Sequence, residues 1–459
     1  MNLSFLDRDR TVAASGYNRW LIPPAALAVH LCIGEVYAFS VFKNPLVEKF
    51  DSSLSAMGAV FSIAIVMLGL SAAFGGTWVE RAGPRKAMFT SALFWTTGFV
   101  VAALGVATEQ IWLLYFGYGF LGGIGLGIGY ISPVSTLIKW FPDWPGLATG
   151  LAIMGFGGGA LIASPLSEKL LSTYASNPQD AIVPAFLTLA ALYFVVMMMG
   201  AFTVRVPADD WAPEGYTPPT GDESKSMKTT ANVTAAEAIR TPQFWLLWVV
   251  LFCNVTAGIG ILEQAAPMIQ DFFSDIDAEE AAGFVGLLSL ANMAGRFIWS
   301  STSDVIGRKP IYMCYLGIGA VLYFVLASWG TAAIALFVIT TAVILSFYGG
   351  GFATVPAYLK DLFGGHEVGA IHGRLLTAWS AAGIAGPAIV NGIADSQTSA
   401  GKSGPELYEL SLYIMVGVLV VGFISNLLIR PVAERHHMRS TARSKAGEPR
   451  FAKTAEEAR

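Results

Sequence analysis

Arg296, Glu35 and His30 are charged or titratable side chains set inside stretches that are otherwise almost wholly apolar. Arg296 is the single charge within Ala281–Ser303 (AAGFVGLLSLANMAGRFIWSSTS), with Glu279 and Glu280 before it and Asp304, Arg308 and Lys309 after it. Such a stretch is long enough to cross a bilayer as a helix. An arginine at that depth costs about 2.5–3.5 kcal/mol on insertion scales, so intramembrane charge is kept for function by default. The planar guanidinium fork matches a carboxylate and stays ionised at any relevant pH. Ser289, Asn292, Arg296, Ser300 and Ser303 recur on one helix face, a polar stripe expected to line a watery cavity that holds an anion. The competing reading is that Arg296 snorkels toward the Asp304 border. Helical side chains lean toward the helix N-terminus, which turns Arg296 toward the membrane centre if this span runs from outside to inside.

Glu35 and His30 both fall in the first apolar stretch. A carboxyl there can carry a proton with the substrate, and a histidine can titrate near neutrality. Five residues apart, they lie about 140° apart around a helix, so only one can squarely face a given cavity, whereas His30 and Tyr37 share a face. The plainer role of His30 is a hydrogen bond between helices. Tyr37, Tyr130, Phe156, Tyr348, Phe352 and Trp379 fall at mid-depth of their stretches. Tyrosine hydroxyls there can donate to a carboxylate while the rings contact a short alkyl tail.

The elements that must position these residues are membrane helices. The 459-residue chain is 54% hydrophobic and only 13% charged, about half the charge of a soluble domain. Its net charge of −4 says little about partners. Apolar segments recur at 20–42, 55–78, 87–107, 111–138, 147–171, 181–204, 243–268, 281–303, 311–329, 331–358, 368–394 and 407–429. The expected fold is therefore an all-α polytopic membrane protein of twelve transmembrane helices. The expected units are a six-helix bundle over 1–204, a cytoplasmic linker over 205–241 rich in Pro, Gly, Ser and charge, a second bundle over 242–430 and a polar cytoplasmic tail over 431–459. Thr234–Arg240 can add a short helix before the seventh span. Of the 28 Lys and Arg, Lys43, Lys49, Lys169 and Lys402 fall on one side, Arg296 falls within, and the rest fall on the side of both termini. The positive-inside rule then puts both termini in the cytoplasm of a cell (inner or plasma) membrane.

The halves repeat. Glu80-Arg81-Ala82-Gly83-Pro84-Arg85-Lys86 follows span two, and Asp304-Val305-Ile306-Gly307-Arg308-Lys309 follows span eight at a near-constant offset that also relates Pro133 to Pro356 and Pro165 to Pro387. Duplicated six-helix units of parallel sense explain that offset. Both loops are expected to gate, through Glu80, Arg81, Arg85, Lys86, Asp304, Arg308 and Lys309. Gly119, Gly123 and Gly127, and Gly155 and Gly159, mark close helix contacts. Cys32, Cys253 and Cys314 read as small buried residues. No phosphate-binding GxxxxGK[ST], nucleophile elbow or Cys/His metal pattern stands out, so no catalytic residue, metal, cofactor, nucleotide or nucleic-acid partner is expected.

The loop G-x-x-x-x-[DE]-R-x-G-x-R-K at Gly75–Lys86 resembles that of the major facilitator superfamily. Within it, Gly34–Leu46 (GEVYAFSVFKNPL), Lys139–Ala160 with Arg240–Trp248, and Gly373–Pro387 resemble the oxalate–formate antiporter family, and the Lys139 stretch also resembles the monocarboxylate transporters. The resemblance implies two pseudo-symmetric six-helix bundles and an essential arginine in helix eight, matched by Arg296. It favours Tyr130, Tyr348 and Phe352 as pocket aromatics. Two departures matter. Asn292-x-x-x-Arg296 stands where monocarboxylate carriers often show Asp-x-x-x-Arg, leaving Arg296 without an acidic partner on its own helix. Residues 375–394 contain no counterpart of the oxalate carrier's lysine in helix eleven, and Arg374 reads as a loop charge. One arginine suits a monoanion better than a dianion. The expected function is a secondary transporter of a small carboxylate, a monocarboxylate by preference, coupled to a proton. The alternatives are exchange of two carboxylates and, from another class, a non-transporting membrane sensor, for which linker and tail are too short to supply a signalling domain. The lipid bilayer, a small carboxylate and a proton or counter-anion are the expected partners.

Overall fold

A computed structural model describes residues 4–52, 54–208, 211–216, 229, 231–276 and 278–438. Parts of the expected linker (209–210, 217–228 and 230) and the tail from 439 onward lie outside them. Twelve long helices follow one another. The first, α1, runs over Ile22–Ile33 and resumes at Ser40–Phe50 after a 3-10 turn, Gly34–Ala38. Then come α2 (Leu54–Ala82), α3 (Pro84–Ala107), α4 (Ile111–Trp140), α5 (Pro145–Tyr174) and α6 (Pro178–Thr203). A short turn, Ala235–Ala238, capped by the Thr234 side chain, precedes the second half. That half comprises α7 (Pro242–Phe272), α8 (Ala278–Ile306), α9 (Arg308–Trp329), α10 (Ile334–Phe363), α11 (Val368–Ser399) and α12 (Glu406–Leu428). Eleven of these are long and apolar enough to cross a membrane. The other, α8, has 29 residues and carries the Arg296 stripe. Among the described residues there is no strand, only an isolated bridge between Val12 and Val206.

α1–α6 and α7–α12 form two pseudo-symmetric six-helix bundles. They meet along α5 against α8 and α2 against α11. Glycine makes the tight contacts inside them. A Cβ on Gly123 or Gly127 would lie 2.7 Å and 2.2 Å from the Ala64 and Leu68 carbonyls of α2, and one on Gly159 would lie 2.4 Å from the Leu31 carbonyl of α1. Such spacing excludes any side chain, which is why small residues line these faces. The turns after α2 and α8 each pivot on a glycine at positive φ, Gly83 (+86°) and Gly307 (+98°), a conformation costly for other residues. The break in α1 falls where Gly34 meets α5, since a Cβ there would stand 2.2 Å from the Phe156 carbonyl. The first helix thus extends beyond its apolar stretch by turning rather than ending.

Candidate functional site

Arg296 is fully buried at the junction of the two bundles. Its Nε donates to Asn292 Oδ1 at 3.1 Å, one turn back on α8, and its Nη1 donates to the Ile153 carbonyl of α5 at 3.3 Å. The guanidinium carbon stands 5.7 Å from the Phe156 ring and 5.6 Å from the Phe352 ring, within cation–π range. Nη2 has no hydrogen-bond partner, and no carboxylate pairs with Arg296 among the described residues. Three hydroxyls lie beside it with no well-formed hydrogen bond, those of Tyr37 on α1, Tyr130 on α4 and Tyr348 on α10, and Tyr37 reaches both Tyr348 and the guanidinium. All three feel the guanidinium electrostatically. A buried polar group left unbonded costs about 1–3 kcal/mol, so three such hydroxyls around a guanidinium with a free Nη2 describe a cradle for an acceptor.

The rings close that cradle. Phe156 meets Tyr37 at 5.2 Å and Tyr130 at 5.4 Å. Trp379 meets Tyr130 at 5.6 Å, Phe156 at 5.6 Å and Phe352 at 4.4 Å, and Tyr348 packs on Phe352 at 5.2 Å. Arg296, Asn292, Tyr37, Tyr130, Phe156, Tyr348, Phe352 and Trp379 therefore come together from six helices, three in each bundle. A chemical species that fits offers oxyanion lone pairs at one end and little bulk at the other.

Glu35 and His30 do not join the cradle in the same way. Glu35 lies within the 3-10 turn of α1 and points into the first bundle, where its Oε2 accepts from the Tyr118 hydroxyl at 3.0 Å. Its Oε1, the Tyr193 hydroxyl and the Trp95 indole N–H are buried without partners nearby. Tyr118 belongs to a π-helical stretch of α4, Tyr115–Gly122, a distortion often found at functional positions. Two residues on, Tyr37 faces Phe156 and the cradle. His30 stacks on Tyr130 at 5.4 Å, with Nδ1 2.8 Å from the Ala152 carbonyl and Nε2 3.1 Å from the Tyr130 carbonyl, of which a neutral imidazole donates to one. It joins α1, α4 and α5 as an interhelical hydrogen-bonding histidine.

The loop residues divide into two groups. Glu80 pairs with Lys139 and accepts the Gly369 N–H at the start of α11, at 2.9 Å. Asp304 accepts the Gly146 and Leu147 N–H groups at the start of α5, at 2.9 and 2.8 Å. Each acid thus caps the helix of the opposite bundle, where unpaired N–H groups and the helix dipole favour negative charge. Arg308 holds Asp304 and Asp361. Arg85 and Lys86 instead bind the N-terminal segment, at the Phe5 carbonyl and Asp7, while Lys309 binds the Leu427 and Ile429 carbonyls at the end of α12. Arg81 is exposed. Further bonds join the bundles: Lys360 to the Pro142 carbonyl, Thr149 to the Ala353 carbonyl and Ser380 to the Ile65 carbonyl. A cavity of about 620 Å³ lies beside these contacts, among Arg8, Glu80, Lys139, Lys360 and Glu367. Beside it, Arg19 forks onto Asp143 at 2.7 and 2.8 Å. Partial burial pushes the Asp143 carboxyl up, and the Arg19 guanidinium together with the Asp143 and Trp144 backbone N–H groups outweighs that push and holds it below its usual range.

The sequence matches the Major Facilitator Superfamily over residues 25–290 and 265–456. The chain belongs to that superfamily. It is 27% identical over 351 residues to the oxalate:formate antiporter of Oxalobacter formigenes, covering 76% of this chain and 78% of that one. It is 26% identical over 392 residues to the apicoplast pyruvate carrier 1 of Toxoplasma gondii, covering 74% and 68%. Its fold matches the fucose:proton symporter of Escherichia coli with a TM-score of 0.66 at 14% identity, over 91% of this chain and all of that one. This member of the superfamily is a multi-pass membrane transporter, and its fold is that of transporters rather than enzymes.

Several participants escaped the sequence reading. The Ile153 carbonyl, Tyr118 and Tyr193 carry no signature, being a backbone atom and two tyrosines among fifteen. His372 was legible in principle, as a histidine seven residues before Trp379 and on its face of α11. It is 1% exposed, and neither ring nitrogen has a partner.

Proposed function

We propose that this transporter moves a small organic monocarboxylate by alternating access, with the carboxylate held by Arg296 Nη2 and the hydroxyls of Tyr37, Tyr130 and Tyr348. The carrying observation is that one buried guanidinium has a free donor amid three tyrosine hydroxyls that find no well-formed partner outside this cluster. A carboxylate is an acceptor without donors, so it satisfies all four. One cation neutralises one anion, and in a low-dielectric site net charge is costly. The relatives named for oxalate, formate and pyruvate support a small carboxylate as cargo. Both termini are assigned to the cytoplasm, with Glu80 and Asp304 closing that side.

Proton symport through Glu35 is the preferred coupling. Its support is a carboxyl in the first bundle with an unbonded oxygen, joined by the 3-10 turn to Tyr37 of the cradle. Exchange of two carboxylates is the rival, favoured by the likeness to the oxalate:formate antiporter. Uptake of labelled formate, acetate, lactate and pyruvate into proteoliposomes separates them. Symport predicts accumulation driven by an inward proton gradient and abolished in Glu35→Gln. Uptake that requires internal anion and ignores the gradient would overturn it.

A further inference from the structure

Arg85 lies at the start of α3, and Arg205 lies just beyond the end of α6. Both turn onto the last carbonyls of α6. Arg205 Nη1 donates to the Phe202 carbonyl at 2.9 Å and to the Val204 carbonyl at 2.8 Å. Arg85 Nη2 reaches the same Phe202 carbonyl at 3.5 Å, and its Nη1 donates to the Phe5 carbonyl at 2.9 Å, in the 3-10 turn Ser4–Leu6. Arg85 is 8% exposed, and its Nε is buried without a partner. Two guanidinium groups thus share one oxygen atom. No carboxylate pairs with either among the described residues; Asp7, in the same N-terminal segment as Phe5, is held by Lys86 at 3.1 Å.

The two residues whose carbonyls receive these arginines also bring their rings together on the outside of the bundle. Phe5 and Phe202 stack at 6.1 Å and are 45% and 43% exposed. Met199, one turn back on α6, is 63% exposed. We infer that this corner of the first bundle binds the phosphate of an anionic phospholipid, with Arg205 and Arg85 supplying the positive charge and Phe5, Phe202 and Met199 contacting the acyl chain. Arg205 is half-buried and meets the headgroup; Arg85 lies beneath it and adds its field. The Ser4–Leu6 turn is thereby tied to the bilayer, because Arg85 holds its Phe5 carbonyl. The inference does not depend on the Arg296 cradle.

The argument is one of charge and place. A helix C-terminus carries about half a negative charge, which offsets only part of one guanidinium, so more than one positive charge is left over at the end of α6. Like charges this close repel, and an anion between them removes that cost. A guanidinium fork matches phosphate oxygens. The corner lies at the ends of two membrane spans, the level at which basic and aromatic side chains meet headgroups. A choline headgroup brings its own cation and cancels the attraction, whereas a glycerol headgroup leaves the phosphate charge unmatched. Free phosphate shares the oxyanion chemistry but makes no use of the exposed rings beside it.

The test is binding of radiolabelled phosphatidylglycerol to the purified, detergent-solubilised full chain, competed by unlabelled phosphatidylglycerol, phosphatidylcholine, inorganic phosphate or glycerol phosphate. Wild type, Arg205→Gln, Arg205→Lys and Arg85→Gln are compared, and thermal melting identifies which are folded. The expected result is saturable binding, displaced by phosphatidylglycerol at least about fivefold more effectively than by phosphatidylcholine and not displaced by either soluble phosphate. Each Gln variant is expected to bind about fivefold more weakly, by the worth of one basic residue at an anionic surface, while Arg205→Lys keeps the headgroup preference. Equal displacement by the two lipids, or wild-type affinity in folded Arg205→Gln, overturns the inference. Displacement by inorganic phosphate or glycerol phosphate assigns the site to a soluble anion and overturns the lipid assignment. Should Arg85→Gln not fold, Arg205→Gln decides, and should neither fold, the headgroup competition in the wild type decides by the same criterion.

Discussion

At Arg296 the energetics favour an incoming acceptor because the protein leaves donors unspent. The buried Nη2 group has no partner and three buried tyrosine hydroxyls have no well-formed bond, and a hydrogen bond to a charged group contributes about 1.5–3 kcal/mol. Replacing Tyr348 by Phe removes one donor without changing the ring contact to Phe352. We expect carboxylate affinity to fall about tenfold or more by that magnitude, while the empty protein melts within about a degree of the wild type, because the hydroxyl has only the Tyr37 hydroxyl beside it and no well-formed bond. Isothermal titration and thermal melting read the two effects; a lower melting point with unchanged affinity would contradict the assignment. Arg296→Lys keeps the charge but not the planar fork or the ring stacking. Binding is expected to weaken at least tenfold, and a lysine variant of wild-type affinity would reduce Arg296 to a point charge.

The helices hold these residues through backbone contact, and here the sequence was partly legible. The polar stripe on α8, the proline and loop repeat and the glycine runs all have helical periodicities, so span count, duplication and close packing could be read in one dimension. Which rings meet Arg296 could be anticipated only by depth, and the six aromatics chosen by depth lie in one neighbourhood around it. What periodicity cannot show is where a straight helix turns. The 3-10 turn at Gly34–Ala38 sends Glu35 toward Tyr118 and Tyr37 toward Phe156, and that split arises from the contact of Gly34 with α5, a tertiary event. A Cβ at Gly34 meets the Phe156 carbonyl at 2.2 Å, so Gly34→Val forces α1 and α5 apart. Its melting temperature in detergent is expected to drop by several degrees, about 1–3 kcal/mol of overpacking, with transport lost. Wild-type stability in that variant would show that the turn is not held by this contact. The loop motif was likewise legible as a repeat, but not that only its acids bridge the bundles while Arg85, Lys86 and Lys309 fasten segments within one bundle.

On the scale of the whole molecule, the two bundles are joined by Glu80 of α2 capping α11 and Asp304 of α8 capping α5, in a pseudo-symmetric exchange of helix caps. A capping charge contributes about 0.3–1 kcal/mol, and up to about 2 when partly buried. Asp304→Asn is therefore expected to shift the population several-fold toward a state open at that side, read as a longer spin-label distance between the Trp140 end of α4 and the Phe363 end of α10. An unchanged distance distribution would assign Asp304 to local structure alone. Cargo acts in the same equilibrium, because an anion that bonds groups from both bundles favours the state in which those groups converge. The central claim is that Arg296 and its tyrosines hold a small monocarboxylate, and equilibrium binding of labelled formate, acetate, lactate and pyruvate to purified wild-type and Arg296→Gln protein tests it most directly. The account predicts saturable binding of at least one of them to the wild type and its loss, about a hundredfold by the worth of a buried charge-assisted hydrogen bond, in a variant that still melts cooperatively. Binding of equal affinity to folded Arg296→Gln would contradict it.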